Sequence, residues 1–395
     1  MIKTYKVMLL PNNKQKTKLF ECASVARWAY NFALEQQQTN YKNGGKFLSD
    51  SELRKRLTQL KQTEEYSWLN NYSNNITKQA IKDVCIAYKN FFEGRSKFPK
   101  FKSKKRSKQS FYQDTDKIVI TETQVKLEKL TTSKKKNKQK LNWIKLAEIN
   151  KIPVGENIKY SNPRVTFDGL NWWLSIGVEK DIQQDNIQYS EGIGIDLGVK
   201  DLAVVSTGQK FKNINKSNKV KKLEKRLKRL QRKLSKKYEM NKIQTEGGEV
   251  RYRKTKNIKK LELLVLKTRR RLKNIRHNYI NQITTSLART KPEYVVMESL
   301  NTCGMLKNRK LSKAIQEQLF HEFKRQMKYK CEWNNIKFIL ADRFYPSSKT
   351  CSNCGHIKDN LSLSERVFIC DECGCIIDRD LNASINLKNY GKSIA

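Results

Sequence analysis

Hydrophobic and polar positions change rhythm several times along the chain. Residues 1 to about 15 carry I-K-T-Y-K-V-M-L-L, whose polar–apolar alternation is the two-residue period of a strand. From Lys18 onward Leu19, Cys22, Ala26, Ala29 and Ala33 recur at helical spacing. Helical signals continue through Ser49–Leu60, where Ser49 or Asp50 is placed to cap, and through Asn75–Phe92; Gly94 and Pro99 then break the pattern. Period two returns over 112–180 in runs rich in Val and Ile, and F-D-G-L-N-W reads as a hairpin turning at Asp168-Gly169. These runs predict a small β-barrel or strongly curved sheet. Trp172 and Trp173 are expected as core and edge-strand residues, and T-T-S-K-K-K-N-K-Q-K (131–140) as a flexible basic loop.

Gln183 to Glu191 is polar and reads as a linker into the second half. Beyond it, G-I-G-I-D-L-G-V-K is a short apolar strand ending on Asp196, with D-L-A-V-V-S-T-G as its hairpin partner. Leu223, Leu227, Leu230 and Leu234 then repeat on a helix crowded with lysine and arginine. After a break at Gly247-Gly248, Leu261, Val265, Leu272, Ile275 and Tyr279 keep a similar rhythm. Two long basic helices folded antiparallel would bury these seams and leave their charge outside. The remaining order is a strand (Tyr294–Glu298), a helix (about Ser312–Trp333), a strand (Ile336–Ala341), a cysteine module and a helix (Leu381–Asn389). With acids on the first and fourth strands and at the final helix, that order matches an RNase H-like α/β sheet.

Composition sharpens the picture. In 395 residues, lysine plus arginine number 82 against 38 acids, a formal net charge of +44. A compact fold with such an excess repels itself unless a polyanion neutralises it, and nucleic acid is the expected partner. Residues 95–111 interleave Lys100, Lys102, Lys104, Lys105 and Arg106 with Phe98, Phe101 and Phe111. That pattern offers phosphate contacts and flat rings for stacking; an ordinary basic loop anchored by phenylalanines in a neighbouring core is the alternative, and the charge around it weighs against that alternative. The early run V-M-L-L ends at Pro11, far short of a signal peptide, and no apolar run approaches the roughly twenty residues of a membrane span. A reducing cytoplasm, or a nucleus if the source has one, is the expected compartment, with no membrane partner.

In that compartment clustered cysteines signal metal before disulfides. Cys351 and Cys354, then fifteen residues, then Cys370 and Cys373 have zinc-ribbon spacing, with Gly355 and Gly374 permitting the knuckle turns. A closed four-thiolate zinc site leaves no position for water, so its expected role is structural; Cys375 is a spare. Cys22, Cys85, Cys303 and Cys331 are expected as buried thiols. His277, His321 and His356 share no paired spacing, which gives histidine-based catalysis little support. Three carboxylates remain: Asp196, Glu298, and Asp380 in I-I-D-R-D-L-N-A-S-I-N-L. An acid at the end of a buried strand loses hydration unless a cation meets it. Three converging acids would hold hard divalent metal of the kind that cuts phosphodiesters, which points to a nuclease.

G-I-D-L-G-V-K, V-V-M-E-S-L, F-Y-P-S-S-K-T-C-S-N-C-G and D-R-D-L-N-A-S-I-N-L together resemble the blocks of TnpB proteins, transposon-encoded RNA-guided DNA endonucleases similar to the smaller type V CRISPR effectors. The resemblance extends through F-P-K-F-K-S-K-K-R into the first half. It implies a RuvC-like nuclease domain over 190–346 and 376–395, including the basic hairpin 215–285, with a zinc ribbon at 347–375. It also implies a wedge-type β-barrel over 1–16 and 95–182, carrying a helical recognition insertion at 17–94. Family function implies a guide noncoding RNA, a double-stranded DNA target read first at a short flanking motif, and a monomer in the ribonucleoprotein of a prokaryotic nucleoid. The catalytic acids fall on Asp196, Glu298 and Asp380, with Asp378 the neighbouring decoy, and would bind a pair of magnesium ions. Arg343 and Lys349 would steady the substrate strand or simply decorate the surface. A nuclease-inactive RNA-guided repressor and a DNA transposase share much of this expectation.

Overall fold

The computed structural model describes residues 2–133, 135–155, 157–179, 188–244, 250–362 and 365–394. The chain divides into two compact units, Met1–Ile182 and Gln183–Ala395. Most of the polar run expected as a linker, and the Gly247-Gly248 break, lie outside the described residues.

The first unit opens with strand β1 (Ile2–Leu10) and helices α1 (Asn13–Lys42), α2 (Asp50–Leu60) and α3 (Asn74–Phe92). Strands β2 (Ser110–Tyr112), β3 (Val119–Ile120) and β4 (Gln124–Lys126) follow, then α4 (Lys136–Gln139), β5 (Trp143–Leu146), β6 (Tyr160–Phe167) and β7 (Trp172–Glu179). Helix α1 starts in a capping box in which Asn12 and Gln15 exchange backbone-to-side-chain bonds of 2.9 Å each, satisfying two donors that a helix N-terminus leaves open. Ser49 caps α2 with Glu52 as its reciprocal partner. Asp168 holds the β6–β7 turn by accepting from the Leu170 and Asn171 amides at 2.9 and 2.8 Å.

The strands form one antiparallel seven-stranded sheet in the order β2-β6-β7-β1-β5-β4-β3. This corrects the expectation of a β-barrel. The edge strands β2 and β3 have three and two residues and share no ladder, so nothing among the described residues closes the sheet. Part of the 131–140 loop is likewise ordered as α4, after Asn142 accepts from the Leu130 and Thr131 amides. Phe111, read as a stacking ring, is only 2% exposed and packs edge-on against Trp172 in the core.

The second unit runs β8 (Ile193–Leu197), β9 (Asp201–Val205), β10 (Lys210–Lys212), α5 (Asn218–Glu239), β11 (Lys242–Gln244), β12 (Val250–Tyr252) and α6 (Lys256–Arg289). It continues with β13 (Tyr294–Met297), α7 (Thr302–Met305), α8 (Ser312–Gln318), α9 (Phe320–Trp333), β14 (Lys337–Leu340), β15 (Val367–Ile369), β16 (Ile376–Asp378) and α10 (Arg379–Lys392). Five strands form a mixed sheet in the order β10-β9-β8-β13-β14. The β8, β13 and β14 neighbours are parallel, while β9 and β10 fold back antiparallel. The basic helices α5 and α6 do pack together, over Val220, Leu223 and Leu272 with Leu227 and Ile275 beside them. The helix expected over Ser312–Trp333 is two helices, broken at Leu319 in the left-handed region (φ 56°, ψ 41°), which side-chain periodicity does not register. Among the described residues no helix is long and apolar enough to cross a membrane.

Candidate active site and metal centre

Parallel pairing sets the site. β8 and β13 run in register with Ile195 opposite Met297, so the next residue on each chain, Asp196 and Glu298, emerges at the same end of the sheet. Helix α10 lies against β8, and Gly194 is the reason it can. A Cβ at that position would stand 2.0 Å from the Ser384 carbonyl oxygen and 2.5 Å from the Lys388 amide nitrogen. That close approach carries Asp380, in the first turn of α10, to the acids of the sheet. Asp378, the decoy, caps α10 by accepting from the Asp380 and Leu381 amides at 3.1 Å each, and pairs with Lys210 at 2.8 Å.

Asp196 senses the other two acids. The Asp196 carboxyl is pushed well above the ordinary carboxylate range by loss of hydration first, then by the charges of Glu298 and Asp380, with Arg379 pulling the other way. Glu298 accepts a hydrogen bond from the Ser347 hydroxyl. Asp380 lies 3.4 Å from the Arg379 guanidinium and 4.0 Å from that of Arg366. The three carboxylates do not close to within 4.8 Å of one another as the cysteine thiols do, but an all-oxygen set of this kind suits a hard divalent cation and not a thiophilic one. Beside Glu298, a small cleft is lined by Leu197, Phe320, His321 and Lys324. No second histidine is spaced with His321 along the chain, so only the break at Leu319 and the packing of α9 bring it here.

The cysteine quartet is tighter. The Sγ atoms of Cys351, Cys354, Cys370 and Cys373 all lie within 4.8 Å of one another, the one such cluster of possible metal-ligand atoms among the described residues. Cys351–Cys373 and Cys354–Cys370 are each 3.6 Å apart. Four thiolates arranged tetrahedrally at about 2.3 Å from an ion are roughly 3.8 Å from each other, so the donor set fits. Gly355 and Gly374 turn the knuckles at φ +80° and +67°, where a side chain would be strained. The Asn353 side-chain amide donates to the Cys373 Sγ at 3.6 Å, a contact that favours the ligating thiolate. Cys375 stands outside the cluster, and Cys303 is exposed, which corrects its reading as a buried thiol.

Phe98 and Phe101 are exposed, as are Lys100, Lys104, Lys105, Arg106 and Arg343. Lys102 is engaged within the fold: its ammonium lies 3.4 Å from the Tyr30 ring centre and its backbone pairs with the Asn31 side chain. Lys349 likewise donates to the Asp359 carbonyl at 2.6 Å.

The architecture is that of a mixed α/β protein whose second unit gathers acids and a cysteine quartet. A Cas12f1-like TNB domain model matches residues 320–387, a helix-turn-helix domain model of the IS605 OrfB type matches 1–46, and a "Probable transposase" model, OrfB of IS605, matches 175–309. Residues 1–46 here form one strand and one long helix. A Streptomyces pristinaespiralis protein named "Putative RNA-guided DNA endonuclease" is 28% identical over 98% of this chain and 89% of its own length. The Escherichia coli K12 protein "Putative RNA-guided DNA endonuclease InsQ" is 25% identical over 100% and 93%. A cryo-EM structure of a Cas12f1-sgRNA-target DNA complex shares the fold, with a TM-score of 0.57 at 15% identity over 96% of this chain and 83% of that one. Across these matches the chain is similar to the OrfB proteins of IS605-type elements and to proteins named as RNA-guided DNA endonucleases.

Proposed function

We propose that this protein is an RNA-guided DNA endonuclease that hydrolyses phosphodiester bonds in double-stranded DNA beside a short flanking motif. The observation that carries this is the convergence of Asp196, Glu298 and Asp380 on one end of β8, β13 and α10, with Asp196 held against its own ionisation. The names of full-length relatives support the guided reaction, and the net charge of +44 supports a nucleic-acid partner. In this reading the second unit is a RuvC-like, RNase H-like nuclease domain over 190–346 and 376–395, interrupted by a zinc ribbon at 347–375. The first unit would recognise RNA and DNA through 1–16 and 95–182, with the helical insertion 17–94.

Asp196, Glu298 and Asp380 would hold magnesium, and Cys351, Cys354, Cys370 and Cys373 would hold zinc. Bound magnesium supplies Lewis acidity that favours an attacking hydroxide and stabilises the departing oxygen. The protein's own contribution is positional: Asp196 at the centre of the trio, Glu298 steadied by Ser347, and Asp380 presented by the capped first turn of α10. Phe98, Lys100, Phe101, Lys102, Lys104, Lys105, Arg106, Arg343 and Lys349 are the proposed nucleic-acid contacts; Lys102 and Lys349 would have to leave present partners to serve. Sequence would be read by base pairing to the guide RNA, with protein contacts on backbone and flanking motif.

With copurified guide RNA and magnesium, Asp196→Ala should abolish plasmid cleavage while guide-dependent DNA binding stays within about twofold. Retained cutting would refute the assignment, and strand-transfer products with marked transposon ends would indicate a transposase instead.

A further inference from the structure

The loop between β14 and the first cysteine knuckle is tied to α10 by two buried asparagines. The Asn386 side-chain amide donates to the carbonyls of Ser347 and Thr350 at 2.8 and 2.6 Å. Asn382 donates to the same Thr350 carbonyl at 2.7 Å and accepts from the Ser352 amide at 2.9 Å. Tyr345 adds a bond from its hydroxyl to the Asn386 carbonyl at 3.2 Å. Asn382 and Asn386 are 0% and 3% exposed, and Ser347 is 2% exposed. A buried amide costs stability unless its hydrogen bonds are made, so its presence needs the partners it finds. Those partners all lie in 347–352, the segment that carries Ser347 to Glu298 and then becomes the Cys351 knuckle.

We propose that Ser347 is a positioning residue for Glu298, and that Asn382 and Asn386 hold it in place by clamping the 347–352 loop onto the helix that bears Asp380. The clamp fixes Glu298 and Asp380 relative to each other through one short polar network. It also makes the cysteine quartet continuous with the acid site, because Cys351 begins one residue after the clamped Thr350. The Ser347 hydroxyl, by donating to one carboxylate oxygen, sets which oxygen of Glu298 remains free for a metal ion. This inference rests on the proposed function above, since it assumes that the acids bind metal.

The test is a manganese titration of the zinc-replete protein, read by the electron paramagnetic resonance of free Mn²⁺, beside the magnesium dependence of cleavage. Wild type should bind Mn²⁺ at a site that Asp196→Asn removes. Ser347→Ala should weaken that binding roughly ten- to hundredfold and raise the magnesium requirement for cutting to match, with guide-dependent DNA affinity unchanged. Asn386→Ala should shift both in the same direction. Ser347→Thr should restore them, and Ser347→Val, which differs from it in the hydroxyl alone, should not; this pair carries the comparison if the alanine variant fails to fold. Wild-type Mn²⁺ affinity in Ser347→Ala or Ser347→Val would overturn the positioning role and leave the proposed function standing. No Asp196-dependent site in the wild type would overturn both.

Discussion

Asp196 places a carboxylate where its charged form is disfavoured by lost hydration and by two acidic neighbours. Its folded pKa is raised, so the fold favours the protonated group. That contribution to stability is fully present below the ordinary value of 3.8 and is lost as pH rises through the folded value. In magnesium-free, zinc-replete buffer, Asp196→Asn should therefore unfold at a higher temperature than wild type at pH 7–8, with the margin shrinking toward pH 4. Each kcal/mol is worth about 2–4 °C in a unit of this size. Magnesium should raise the melting temperature of wild type and leave that of Asp196→Asn unmoved. Scanning calorimetry across pH checks both, and a variant less stable than wild type at pH 8 would contradict the electrostatic account.

Elements are held in register by contacts that admit little substitution. At Gly194 on β8 the two atoms a Cβ would meet first, the Ser384 carbonyl oxygen and the Lys388 amide nitrogen, are backbone atoms of α10, which no rotamer change can move. Gly194→Ala should cost about 1–3 kcal/mol, the usual range for overpacking, and displace the first turn of α10. Cleavage should fall more than tenfold because Asp380 moves with that turn, measured as kcat at saturating magnesium. Unchanged kcat with lowered stability would mean that α10 tolerates the shift without carrying the acid away.

Charge belongs to the molecule as a whole. Lys221, Lys225 and Lys228 line the exposed side of α5, while its apolar side packs on α6. Nucleic-acid affinity should fall steeply with salt, and replacing these three lysines with alanine should lower the slope of log K against log salt by about 2–3 if each meets a phosphate. A filter-binding series between 50 and 200 mM salt measures it; an unchanged slope would exclude α5 from the interface.

The readable and the unreadable parts of this molecule divide along the same line of scale. The strands leading to Asp196 and Glu298 and the closeness of the four knuckle cysteines were legible because each signal is local: an acid ending an apolar run, or two thiols three positions apart beside a glycine. The helical hairpin was legible because leucine spacing reports a buried seam. The seven-stranded sheet was misread as a barrel, since closure depends on whether two distant short strands meet, and alternation within each strand says nothing of that. Leu319, His321 and the Asn382–Asn386 clamp were missed for a related reason. A left-handed residue leaves no periodic trace, and a buried asparagine is distinguished from a solvated one only by what folds over it. Sequence alone determined which chemical groups were available and which short elements would carry them. The tertiary structure decided which groups meet, because meeting depends on strand register, on the missing Cβ at Gly194 and on bonds between segments far apart in the chain.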